Sequence, residues 1–190
     1  PLTDARFSGI MLDDMNRWNA SDGNDWGRST GNGVETVYAG AARLGFSPEK
    51  ILRHLRERIE MGSYPNCYIV ADGGGIETLA AVPFTINEML MQSFEGTLRL
   101  FPCWIRSRDA SFRHLRANGA FLVSSSIKNG TIGEVELLSE QGRPCRMENP
   151  WPGRTVLVRH SDGRIEKLQG DFVEFPTQKN ERLRITKALF

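Results

Sequence analysis

The stretch "INEMLMQSFEGTLRLFPCW", Ile86 to Trp104, is where the hydrophobic period of this chain changes. Up to Met91 the apolar residues recur at helical spacing. From Gly96 onward they alternate or cluster in short β-favouring runs. Upstream, the same helical period is carried by Phe7, Ile10, Met11, Met15 and Trp18, and again by Val34, Val37, Tyr38, Ala41 and Leu44. Gly45 suits the end of that second helix. "SPEK" then supplies Ser47 as N-cap, Pro48 at the first helical position and Glu49 in the first turn of a third. Its inward face is expected at Ile51, Leu52, Leu55 and Ile59. Pro83 opens a further helix that turns Ile86, Met89 and Leu90 inward. Five of the six methionines precede residue 92, which fits an adaptable apolar packing surface.

Downstream, "TLRLF", "SFRHLRA", "AFLVSSS", "IGEVELLS", "TVLVRHS" and "ERLRIT" read as strands. They are separated by the turn signals "KNG", "QGRP", "NPWPG", "SDG" and "QGD". Strands at this spacing predict an antiparallel β-sandwich. The expected class is therefore α+β: a helical segment over residues 1–95, joined near Phe101 to Ile105 to a β-domain over residues 96–190. The charged tail "QKNERLRITK" reads as a solvated edge strand.

Composition narrows the function. Twenty-four basic residues against 23 acidic ones leave a formal charge of +1, which gives no electrostatic case for nucleic acid or an anionic membrane. No apolar run reaches the roughly 20 residues of a spanning helix. The three cysteines, Cys67, Cys103 and Cys145, and the three histidines, His54, His114 and His160, are dispersed, so neither a disulfide framework nor a metal site is expected. No cofactor is expected. The amino end, "PLTDARFSGIMLDDMNRW", lacks the order of a signal peptide and starts in helical patterning, so the chain is expected to begin partway through a longer protein.

Two loops carry candidate chemistry. In "ADGGG", Ala71 to Gly75, three glycines (Gly73, Gly74 and Gly75) permit close ligand approach, and Asp72 and Glu77 flank them with carboxylates. In "GNDWGRSTGNG", Trp26 offers an apolar face for stacking on a ligand ring, while Asn24, Asp25 and Arg28 offer planar hydrogen-bonding groups. Bland readings stand beside these. Asp before Gly is a common turn pair, Glu77 could cap a helix, and Trp26 could lie in a core. Trp104 and Trp151 read as packing residues, and Glu88 as a partner for backbone or an arginine. Ser124 to Ser126 lack a His or Asp arrangement for nucleophilic attack.

The Ile86 to Trp104 segment resembles the link between the catalytic helical barrel and the terminal β-domain of glycoside hydrolase family 95, the α-L-fucosidase family. "GRPCRMENPW", Gly142 to Trp151, is similar to a recurring piece of that terminal domain. "WGRSTGNGVETVYAGAARLGFSPEKILRHL", Trp26 to Leu55, is similar in pattern to the penultimate helical hairpin. The resemblance covers nearly the whole chain but only the carboxyl-terminal part of such an enzyme. It implies that the helices are the last hairpins of an (α/α)6 barrel followed by a β-sandwich. It also implies inverting hydrolysis of glycan-linked sugars, in which an acid protonates the leaving oxygen while a base activates water from the opposite ring face. In some members an amide-bearing residue polarised by a carboxylate serves as the base. Asp72 matches the position of that carboxylate, and Glu77 is the alternative in the same loop.

The resemblance further implies an oligosaccharide or glycan substrate, a general acid in an upstream part of the same protein, and secretion to a periplasm or cell surface. The isolated chain is then expected to be inactive. Two other readings are a carbohydrate-binding β-sandwich module with a helical adaptor, and a purely structural sandwich that buttresses the barrel.

Overall fold

A computed structural model describes residues 9–11, 13, 17, 34–61, 64, 65 and 80–188. The chain divides into two compact units, Pro1–Leu90 with Pro102–Ile105, and Met91–Phe101 with Arg106–Phe190.

In the first unit, α1 (Val34–Arg43), α2 (Pro48–Met61) and α3 (Ala81–Leu90) are the helices that the described residues show in full. α1 closes in a Schellman motif: Phe46 N–H donates to the Ala41 carbonyl at 3.0 Å and Gly45 N–H to that of Ala42 at 3.2 Å, with Gly45 at φ 73°. Ser47 caps α2 as its sequence predicts, its Oγ accepting from Lys50 N–H at 3.3 Å. The core gathers Tyr38, Ala41, Leu44, Phe46, Ile51, Leu55, Ala81 and Met89. Arg43 of α1 grips Glu88 of α3 through two hydrogen bonds, Nε to Oε2 at 2.9 Å and Nη2 to Oε1 at 2.7 Å. Glu88 is thus the arginine partner expected.

Several local expectations change. α3 begins at Ala81, two residues before Pro83. Proline is accepted there because the first-turn N–H groups have no intrahelical acceptor. The buried face of α2 runs through Ile51, His54, Leu55 and Arg58, with Leu52 and Ile59 only half-buried. The core stripe is therefore rotated toward two polar side chains whose long or planar bodies pack like apolar ones. Residues 9–11 are helical, but Ile10 and Met11 are exposed.

The second unit is mostly antiparallel sheet. β1 (Met91–Gln92) pairs with β2 (Arg99–Leu100), around a single 3-10 turn at Phe94–Gly96. β3 (Ala110–Ala117), β4 (Phe121–Lys128), β5 (Thr131–Ile132), β6 (Val135–Ser139), β8 (Val156–Arg159), β9 (Ile165–Leu168) and β11 (Glu181–Lys187) form one seven-stranded sheet. Its order is β3-β4-β6-β11-β8-β9, with β5 on β4. β7 (Cys145–Glu148) and β10 (Phe172–Phe175) make a separate ribbon.

One face of the large sheet is apolar in continuous rows. Val123 stands opposite Leu137, and Leu137 opposite Leu183; Ile185 stands opposite both Val135 and Val158. All six are buried, each contributing about 1.5–3 kcal/mol relative to an exposed side chain. Every pairing between two of these named strands is antiparallel, as expected; the strands form one large sheet and two short ribbons, and these pairings do not show the two-sheet sandwich. The six-hairpin barrel is likewise not seen among the described residues.

The reading of the carboxyl-terminal tail is overturned. β11 lies inside the sheet, bonded to β6 on one side and β8 on the other. Its basic residues Arg182 and Arg184 sit on the solvent face, while Glu181, Leu183 and Ile185 are buried. Alternation alone cannot distinguish such a strand from an edge, because both expose every second residue.

Candidate functional site

Asn24, Asp25, Trp26, Arg28, Asp72, Gly73, Gly74, Gly75 and Glu77 all lie outside the described residues, so the geometry of both sequence-derived loops stays an expectation. What the described residues do carry is a cleft of about 220 Å³ in the sheet unit. Leu98, Phe121 and Cys145 give it apolar surface. Ser93, Asn118, Arg143 and Arg146 supply its polar groups.

Each wall is fixed by its own hydrogen bonds. On one side Asn118, in the β3–β4 turn, donates its backbone N–H to Ser93 Oγ at 3.0 Å and its Nδ2 to the Ser93 carbonyl at 2.8 Å. Gly119 beside it has φ 90°, and a Cβ there would meet the Phe121 ring at 2.5 Å. Only glycine lets the turn close down on that ring. Arg116 holds Glu140 through both terminal guanidinium nitrogens, tying the end of β3 to the segment after β6. That hydrogen-bonded pairing raises Arg116 and holds the Glu140 carboxyl below its ordinary range.

On the other side a hydroxyl relay pins Arg143. Ser139 Oγ meets Thr177 Oγ1 at 2.6 Å, Thr177 Oγ1 donates to the Arg143 carbonyl at 2.6 Å, and Gly142 N–H donates to Ser139 Oγ at 3.1 Å. Gly142 is packed so closely on Gln178 and Lys179 that a Cβ would lie 2.8 Å from the Lys179 nitrogen. Arg146 donates from Nη1 to Thr97 Oγ1 at 2.8 Å, and its guanidinium carbon lies 4.5 Å from the centre of the Phe172 ring. The rim at Gly96 and Leu98 is held to β7 by Leu98 N–H on the Arg146 carbonyl and Glu148 N–H on the Leu98 carbonyl, both 2.9 Å. Beneath the 94–97 turn, Arg99 is buried between Glu95 and Glu148 and lies over the Phe94 ring.

Neither described cysteine is poised for attack. Burial pushes the Cys145 thiol up to about 12 and the Cys103 thiol up to about 11, so both stay protonated near neutrality. Cys103 donates instead to the Phe46 carbonyl at 3.2 Å. Ser124 Oγ is occupied by the backbone N–H of His114, at the bulge in β3, and not by its imidazole. Trp151 packs inside and donates Nε1–H to the Ile132 carbonyl at 2.8 Å, the packing duty expected of it.

A second polar cluster lies at the β8–β9 turn. His160 Nδ1 is 2.8 Å from Glu181 Oε1 and its Nε2 is 2.9 Å from Glu166 Oε1. Glu181 Oε2 accepts from Gln178 N–H at 2.6 Å, and Arg164 pairs with Glu166. With His160, Glu166, Glu181 and Arg164 bonded to one another inside the unit, this cluster is a clasp between strands.

Sequence reasoning did not single out Asn118, Arg143 or Arg146. The available signal was local: "GRPCR" sets two arginines three residues apart around a turn-forming Gly and Pro. Their convergence with Asn118 depends on long-range pairing, which spacing along the chain does not reveal.

No known family profile matches the sequence, and no curated protein does. Among solved structures, the chain is similar to a GH127 beta-L-arabinofuranosidase from Geobacillus stearothermophilus. That enzyme is 14% identical, with a TM-score of 0.32, and the match covers 59% of this chain and 18% of the enzyme. The match thus spans less than one fifth of the enzyme's length. This neighbour is a glycoside hydrolase of a different family from the one that the linking segment resembles. Among the described residues no helix is long and apolar enough to cross a membrane.

Proposed function

We propose that this chain is the carboxyl-terminal portion of an inverting, fucosidase-like glycoside hydrolase acting on glycan-linked sugars. The observation that carries the reading is the Ile86 to Trp104 segment. It resembles the barrel-to-β-domain link of family 95, and here it leaves a helix at Leu90 and enters the extended pairing of β1 with β2. In this reading residues 1–95 complete an (α/α)6 barrel and residues 96–190 form the terminal β-domain. Asp72 polarises the group that activates water, Glu77 is the alternative carboxylate, and Gly73 to Gly75 let the sugar approach the backbone. Asn24, Asp25, Trp26 and Arg28 contact the substrate. The general acid belongs to the upstream part of the protein, so the 190-residue chain alone does not turn over. The full-length protein works in a periplasm, at a cell surface or outside the cell.

The test is hydrolysis of aryl α-L-fucosides and other aryl glycosides by the full-length gene product, with the anomer first released read by NMR. Hydrolysis with inversion supports the reading, and an inert full-length protein refutes it. The cleft around Arg143 and Arg146 favours a second reading, in which the β-unit is a carbohydrate-binding module. Retained glycan affinity without turnover in the full-length protein would select it.

A further inference from the structure

We propose that the cleft of the sheet unit binds a single acidic monosaccharide residue, a uronate, with its carboxylate on Arg143 and Arg146. Charge is the first reason. The lining includes two arginine residues and no acidic one. No described residue forms an ion pair with either arginine, although Glu174 stands opposite Arg146 in the β7–β10 register. An arginine fork matches a carboxylate in plane and in donor spacing.

The Arg146 side chain and the Arg143 backbone are held in place. Arg146 spends one of its five N–H donors on Thr97 and rests on the Phe172 ring, and the backbone of Arg143 is locked by the Ser139–Thr177 relay. Such fixing lowers the ordering cost of binding.

The opposite wall asks for a hydroxyl. Asn118 gives one side-chain N–H to the Ser93 carbonyl, which leaves its second N–H and its side-chain oxygen for a hydroxyl that can accept and donate. A ligand that suits both walls carries a negative charge and hydroxyl donors together. Leu98 and Phe121 between them offer apolar surface to the C–H face of a ring. At about 220 Å³ the cleft is smaller than the roughly 300 Å³ at which pockets begin to enclose drug-sized ligands, so it admits one sugar unit. The choice of a sugar acid over other hydroxy acids rests on the glycan reading above. The anion preference rests on the lining alone.

The test is an amide-resolved NMR titration of the 190-residue chain with glucuronate, glucose, acetate and inorganic phosphate in parallel. Glucuronate is expected to move the Ser93, Gly96, Asn118 and Gly119 amides with a Kd on the order of 1 mM, at least about tenfold tighter than the other three. Arg143→Ala and Arg146→Ala should each weaken it by about tenfold. Arg182→Ala, exposed on β11 and outside the cleft, should leave it unchanged and serves as the folding-matched control. The proposal is overturned if no ligand moves these amides, if glucose, acetate or phosphate matches glucuronate, or if both cleft variants bind as wild type. None of these results depends on Asp72, Glu77 or turnover, so failure here is distinct from failure of the hydrolase reading.

Discussion

Removing the Glu181 carboxylate should unfasten the β8–β9–β11 corner, and the expected cost can be worked from its bonds. The side chain is 3% exposed and the His160 ring is fully buried. Oε1 accepts from His160 at 2.8 Å and Oε2 from Gln178 N–H at 2.6 Å. In Glu181→Ala the Gln178 N–H loses its acceptor, at about 1–3 kcal/mol, and the imidazole loses a charged partner, which for buried pairs brings the total to about 3–5 kcal/mol. Arg164 Nη2 lies 3.1 Å from the same ring nitrogen and can donate to it in the tautomer that carries its proton on Nε2. That partial replacement places the expected cost near 3 kcal/mol, about the lower end of the range for such pairs. Glu181→Gln keeps an acceptor for Gln178 and should cost only about 1 kcal/mol. Urea unfolding followed by far-UV circular dichroism, at unchanged m, reads both values. A loss below about 1 kcal/mol for the alanine variant, or equal losses for the two, would refute a satisfied buried clasp.

Other consequences are measurable. Gly119→Ala forces a Cβ to 2.5 Å from the Phe121 ring at φ 90° and should destabilise the sheet unit by about 1–3 kcal/mol, seen as a lowered thermal midpoint. Glu88→Ala removes a carboxylate held by the partly exposed Arg43, and since solvent screens that pair the loss should stay within about 1 kcal/mol by the same urea assay. Burial lowers His54 below the ordinary histidine value, with the Glu57 hydrogen bond opposing it. The unfolded chain therefore takes up the proton first, so His54 contributes stability above its unfolded value that is lost as pH falls through the folded one. Unfolding free energy measured from pH 7.5 to 5 should decline more steeply in wild type than in His54→Gln.

The parts of this fold legible in the sequence are those set by neighbours along the chain. Ser47-Pro48-Glu49 starts a helix and Gly45 ends one because caps need only residues three to five positions away. The run from Phe121 to Ile127 shows its strand because burial alternates residue by residue. Long-range outcomes were less visible. β7 carries the "CRME" segment and pairs with β10 across an intervening hairpin. "ERLRIT" looks the same whether it ends a sheet or lies between β6 and β8. His54 and Arg58 show that polar residues can occupy a helix's buried face, which an apolar count along α2 misses. The candidate site divides likewise: "ADGGG" announces itself by composition, whereas the Arg143–Arg146–Asn118 cleft exists only once three separate segments have been brought together.

The hydrolase account is tested most directly by turnover of the full-length protein carrying Asp72→Asn or Glu77→Gln, measured on its best glycoside beside wild type. The account predicts that one of the two loses at least about 100-fold in kcat while its thermal midpoint stays put, as removal of a proton-handling group requires. Undiminished kcat in both variants would contradict it.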